Sequence, residues 1–287
     1  MTRTGLLYLL AAAFFFSLMS VCVKLAGERL PTEEIIVSRA VVSLVLSYAV
    51  VRRVNARIWG NAKGLLVLRG ILGSCGLFCF FHAVTLLPLA EVTTIHHLNP
   101  ILTALIAAIA LRERVSWGLA VAIAVSLTGV VLVARPSALF HDAQTLDGFA
   151  VLVALGGALF SAAAYVTVRK LRQSDHSAVI VFYFPLVATP VFLPLAWRVW
   201  IWPTPLEWLI LLGVGITTQI AQVCLTEGLG RTPAGYATAV GYIQIAFAML
   251  WSATIFGVFP DFLAIGGALL VFVGIAILVV TRPRTPT

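Results

Sequence analysis

His96, Asn99 and Thr103 stand at i, i+3 and i+7 within one apolar run, a spacing that puts three polar side chains on one stripe of a helix. Gln219, Gln222 and Thr226 repeat that spacing, as do Ser17, Ser20 and Lys24. Shorter sets are Ser74, Phe78 and His82, then Ser161 and Tyr165, then Thr238, Tyr242 and Gln244. Most of these groups form hydrogen bonds without carrying net charge. Converging on one central cavity, they would recognise a small solute by hydrogen bonding, with the rings of Phe78, Tyr165 and Tyr242 stacking on its apolar part. Histidine titrates near neutrality, so His82, His96 and His97 admit a proton relay beside the plainer reading of neutral, hydrogen-bonded rings. Every stripe also has a bland reading. Ser, Thr, Asn and Gln tie transmembrane helices to one another, and Ser and Thr bond back to their own helix.

The charged and helix-breaking residues bound the chemistry further. Lys24 and Arg39 lie near one end of the first two apolar runs, where they either snorkel or pair with Glu28, Glu33 or Glu34, or else form an electropositive outer mouth that attracts a carboxylate. Glu113, between Arg112 and Arg114, reads as a salt-bridge or capping group, and Glu227 as a gate or a solvated helix end. Pro100, Pro185, Pro190 and Pro194 fall inside apolar runs and predict kinks, with Pro100 beside Asn99 as a hinge; Pro88 and Pro233 fall at run starts. There is no His-Glu-x-x-His, Gly-x-Ser-x-Gly or P-loop, and no pair of aspartates inside an apolar run. An intramembrane enzyme and an ATP-driven pump are therefore disfavoured, and neither metal nor cofactor is expected. Cys22, Cys75, Cys79 and Cys224 all lie in apolar runs and read as small buried hydrophobes rather than a disulfide framework.

The elements that must position these groups follow from composition. The chain of 287 residues is 61% hydrophobic and 10% charged, with a mean hydropathy of +1.05. A soluble domain carries about a quarter charged residues, so this is an all-α polytopic membrane protein. Ten spans are predicted, at 5–26, 34–52, 64–87, 88–111, 116–134, 148–169, 177–197, 206–226, 233–256 and 261–281. The first is too long for a signal peptide and is expected to stay attached. With both termini cytoplasmic, thirteen basic residues fall on the inner side, among them Arg52, Arg53, Arg169, Arg282 and Arg284. Only three, Arg29, Arg135 and Arg198, fall outside, while Lys24, Arg39 and Arg69 lie within spans. The net charge of +8 thus orients the chain and does not point to nucleic acid. Trp197, Trp200, Trp202 and Trp208 read as an interfacial belt.

An offset of 145 lays Pro88 on Pro233, Thr93 on Thr238, Ala108 on Ala253 and Gly129 on Gly274. Two five-span repeats, 1–135 and 146–282, are therefore expected. Five is odd, so the second repeat is inverted, with a pseudo-two-fold axis in the membrane plane and substrate sites near the midplane between repeats.

The stretch from Leu89-Ala90-Glu91 through Asn99-Pro100 to Leu111-Arg112-Glu113-Arg114-Val115-Ser116 resembles the signature of the EamA family of the drug/metabolite transporter superfamily. Lys24, Pro31 and Arg39 fit the same likeness, and the plan is similar to that of YddG-type bacterial amino-acid exporters. The second half departs from it, with Ile255-Phe256-Gly257-Val258-Phe259 where the first half has Glu113. The resemblance implies a scaffold of spans 5 and 10 around which the others enclose a pathway. It also implies a secondary transporter exporting small metabolites, foremost amino acids, across the bacterial inner membrane by alternating access. The alternative within transport is a broad drug exporter, disfavoured because no mid-span carboxylate is available to take a cation. The partners expected are a small-molecule substrate and the bilayer, with a monomer as the simplest assembly.

Overall fold

The computed structural model describes residues 3–87, 89–134, 147–257 and 259–281, with backbone alone at 89–91. Pro88, Arg135, Val258, Arg282 and Arg284, the side chain of Glu91 and the boundaries at 135, 146 and 282 lie outside the described residues. The first half holds α1 (Arg3–Ala26), α2 (Thr32–Arg53), α3 (Lys63–Leu86), α4 (Leu89–His96), α5 (Asn99–Ala110) and α6 (Trp117–Ala134). The second holds α7 (Gly148–Leu171), α8 (Ser177–Val199), α9 (Pro205–Arg231), α10 (Ala234–Val240), α11 (Ile243–Ile255) and α12 (Phe262–Val280). Taking α4–α5 and α10–α11 as one span each, ten helical spans are long and apolar enough to cross a membrane. Large apolar side chains such as Leu7, Ile109, Leu152 and Phe262 point outward, as hydrocarbon requires.

Local chemistry sets the helix starts. Asp147 caps α7 through the Phe149 amide, Asp261 caps α12 through the Ala264 amide, and Thr204 and Glu207 form a reciprocal capping box on α9 with Pro205 at its first turn. The helix that most overruns its sequence-predicted end is α9, which continues to Arg231. Gly228 and Gly230 look like a terminator, but Gly228 lies against Leu9 of α1 and Gly230 against Arg172, so these glycines serve close packing.

The halves interlock as an inverted pair. α1 packs along α9 and α3 along α7, which the pseudo-two-fold exchanges; α2 packs on α8 and α6 on α12, each pair its own image. A Cβ on Gly129 of α6 would run into the Gly267 carbonyl of α12, and one on Gly274 into Ser126. The connections repeat the symmetry. On one face Arg29, between α1 and α2, pairs with Glu207 at the start of α9 and donates to the Trp202 carbonyl at 2.9 Å. On the other face Asp175, between α7 and α8, accepts from the amides of Asn61 and Ala62, at 2.5 and 3.2 Å, just before α3.

Candidate functional site

Spans 4 and 9 are both broken, at His97–Leu98 and at Gly241–Tyr242. At each break the backbone tightens to i−3 bonds, Leu98 to Ile95 at 3.0 Å and Tyr242 to Ala239 at 3.2 Å. Pro100 is therefore no mid-helix kink; it sits in the first turn of α5, where its missing amide is least felt. α8 runs as one continuous helix through Pro185, Pro190 and Pro194. Across the two breaks the rings of His97 and Tyr242 stack, centroids 5.9 Å apart and planes at 15°, and Tyr242 Oη donates to the His97 carbonyl at 2.8 Å. Their numbers differ by 145, the repeat offset, so these residues are symmetry mates in contact across the pseudo-two-fold axis.

A cavity of about 120 Å³ adjoins this contact. Six residues that the polar stripes single out line it: His96, Asn99, Tyr165, Thr238, Tyr242 and Gln244, with Ala13, Phe16 and Leu225 as apolar wall. Asn99 is held on both sides, its Oδ1 accepting from Thr103 at 2.9 Å and its Nδ2 donating to the Ala158 carbonyl at 3.4 Å. Thr238 returns its hydroxyl to the Ala234 carbonyl. His96 packs edge-on against Phe80, 5.0 Å between centroids, and its buried Nδ1 has no hydrogen-bond partner. Gln244 and Tyr165 are half-buried.

The other stripe residues take the bland role or face elsewhere. Ser17 is fully buried and accepts from Trp251 Nε1 at 2.9 Å, joining α1 to α11. Ser161 fills the notch at Gly76 where α3 meets α7. Gln219 accepts from Ser47 at 3.0 Å and Gln222 from Arg69 at 3.3 Å, tying α9 to α2 and α3. Phe78 and His82 stack on each other but lie on the exposed face of α3, in line with Ile71, so they do not line the cavity. Spacing shows that residues share a face and cannot say which neighbour that face meets. Lys24 and Arg39 form no shared outer mouth. Lys24 is exposed with its ammonium 3.9 Å from the Phe256 ring centre, whereas Arg39 turns inward to Met19 Sδ at 3.9 Å and the Phe184 ring.

The EamA-like transporter family matches this chain twice, over residues 3–135 and 148–280. The chain belongs to that family. The pseudopaline exporter CntI of Pseudomonas aeruginosa is 32% identical over 272 residues, covering 94% of each chain. Human solute carrier family 35 member G1 is 29% identical, covering 93% of this chain and 76% of its own. A solved crystal structure superposes with a TM-score of 0.83 at 17% identity over 98% of each chain, which shows a shared fold. The chain is thus a multi-pass small-molecule transporter of the EamA-like family, in two inverted repeats.

Within this EamA chain the glutamate of the Leu-x-Glu motif has a structural post. Glu113 Oε1 accepts from Arg169 Nε at 2.9 Å, and its Oε2 accepts from the Ala234 amide at 2.8 Å, where span 9 begins. Arg169 also donates to the carbonyls of Leu229 and Gly230 at the end of α9. Glu113 and Arg169 together therefore fasten the ends of α7, α9 and α10. Glu227 is neither free nor solvated, since it pairs with both Arg172 and Arg231. Sequence reasoning named His97 only as a titratable ring and left Arg169 and Arg69 out of the site. The repeat offset applied to Tyr242 would have found His97, and Arg69 was visible as a lone charge in an apolar run.

Proposed function

We propose that the chain exports small metabolites, amino acids foremost and aromatic ones among them, across the bacterial inner membrane by alternating access through the cavity beside His97 and Tyr242. The observation that carries this reading is the position of the cavity. It lies where two broken spans meet on the pseudo-two-fold axis, and transporter sites of this kind form at discontinuous helices between repeats. Six neutral or weakly polar side chains suit a solute held by hydrogen bonds, with the rings of Phe16, Tyr165 and Tyr242 beside it. The export direction leans on the likeness to the pseudopaline exporter. The inner-membrane site and cytoplasmic termini lean on the excess of Lys and Arg on the face that carries Arg52, Arg53 and Arg169.

The test is movement of labelled amino acids across liposomes containing only this protein, with and without a pH gradient. We expect amino-acid flux. Robust movement of lipophilic cations with none of amino acids would overturn the reading in favour of a drug exporter.

A further inference from the structure

Two arginines sit inside the bundle, and among the described residues neither belongs to an ion pair. Arg69 is 4% exposed and has five N–H donors. Its Nη2 reaches Gln222 Oε1 at 3.3 Å, while Nε and Nη1 have no hydrogen-bond partner. Arg39 finds only the weak acceptor Met19 Sδ. Both guanidiniums lie against one ring, their carbons 4.6 Å (Arg69) and 5.8 Å (Arg39) from the centre of Phe184. Tyr165, which lines the cavity, stands one turn beyond Ser161, the residue packed on Gly76 of the antiparallel α3, and so lies at the level of Gly73.

Their position ties them to the axis. Arg39 on α2 and Phe184 on α8 face each other across the helix pair that is its own image under the pseudo-two-fold. Arg69 reaches along α3 to the level of Gly73, about 15 Å from the helix start, which is near mid-membrane. A Cβ at Gly73 would lie 2.7 Å from Arg69 Nη1 and 2.8 Å from the Phe184 ring, so this glycine leaves the room in which the guanidinium lies.

A buried guanidinium without an anion is costly, and two sharing one ring in a low-dielectric interior also repel each other. Cation–π contact with Phe184 offsets part of this, but the in-plane donors remain unused. The planar fork of Arg matches a carboxylate, which can accept from two donors at once and answer both charges. We infer that Arg39 and Arg69 form the carboxylate subsite of the transport pathway, next to the neutral cavity at Tyr165. This rests on the transport reading above and narrows its substrates to solutes bearing a carboxylate.

The full-length protein, purified in detergent, is heated with L-phenylalanine, with L-phenylalaninamide, which lacks the carboxylate charge, or with phenylacetate, which lacks the amine. Phenylalanine and phenylacetate are expected to raise the melting temperature and the amide not to. Arg69→Gln and Arg39→Gln should weaken the protection about tenfold or more in concentration, with Arg69→Lys intermediate. Equal protection by the amide, unchanged protection in Arg69→Gln, or no protection of the wild type by either carboxylate would overturn the subsite. The acid–amide comparison needs no variant, so a misfolded glutamine variant does not block the test. Arg69-dependent protection by phenylacetate in a protein that moves no amino acid would sink the amino-acid reading and keep the subsite. Amino-acid flux unaffected by Arg39→Gln and Arg69→Gln would do the reverse.

Discussion

Tyr242 joins the two repeats with one hydroxyl, and its ring is also cavity wall. In Tyr242→Phe the ring stays and the bond to the His97 carbonyl goes, leaving a buried acceptor unanswered. The expected cost is about 1–2 kcal/mol in thermal unfolding, with transport slowed in liposomes. Asn99→Ala and Gln219→Ala separate the two readings of a polar residue. Asn99→Ala should weaken transport because the amide faces the cavity. Gln219→Ala should lower stability by about 1 kcal/mol through loss of the Ser47 bond and leave solute affinity nearly unchanged, as judged by paired flux and melting measurements. At this scale legibility was uneven. Hydrogen-bonding side chains in an apolar run announce themselves, so His96, Asn99 and Gln244 could be singled out by spacing, and all three line the cavity. Whether Gln222 meets solute or Arg69 depends on α3 lying beside α9, and no local spacing encodes that.

Helices were the most legible level, because a span is a length of apolar residues between polar ends and both can be counted. Their interruptions were not. Pro100 drew attention to span 4 three residues after the true break, and span 9 breaks at Gly241 without any proline in that turn. Both breaks are held by a contact between helices, which a linear pattern does not contain. The packing of α6 on α12 gives a prediction at this level. In Gly129→Val the added carbons meet the Gly267 backbone, which cannot turn aside as a side chain can. Overpacking there should destabilise by about 1–3 kcal/mol, read as a lower melting temperature of the purified protein, while cavity residues are untouched.

For the whole molecule, the telling asymmetry is Glu113. With Arg169 it fastens three helix ends on one face, and the corresponding stretch of the second repeat carries no glutamate. Glu113→Gln should loosen that face. A cysteine at Leu225, in a background with Cys22, Cys75, Cys79 and Cys224 replaced, should then react about fivefold faster with a water-soluble thiol reagent added from that side, as loss of about 1 kcal/mol allows. An unchanged rate would show that the carboxylate does not hold the face shut.

The touching symmetry mates have a thermodynamic consequence. A solute beside His97 and Tyr242 would touch both repeats at once, so its binding energy would be shared between them. Under the transport reading, if flux proves independent of a pH gradient, net movement runs down the solute's own concentration ratio, and the same protein reconstituted with the gradient reversed should carry its solute the other way.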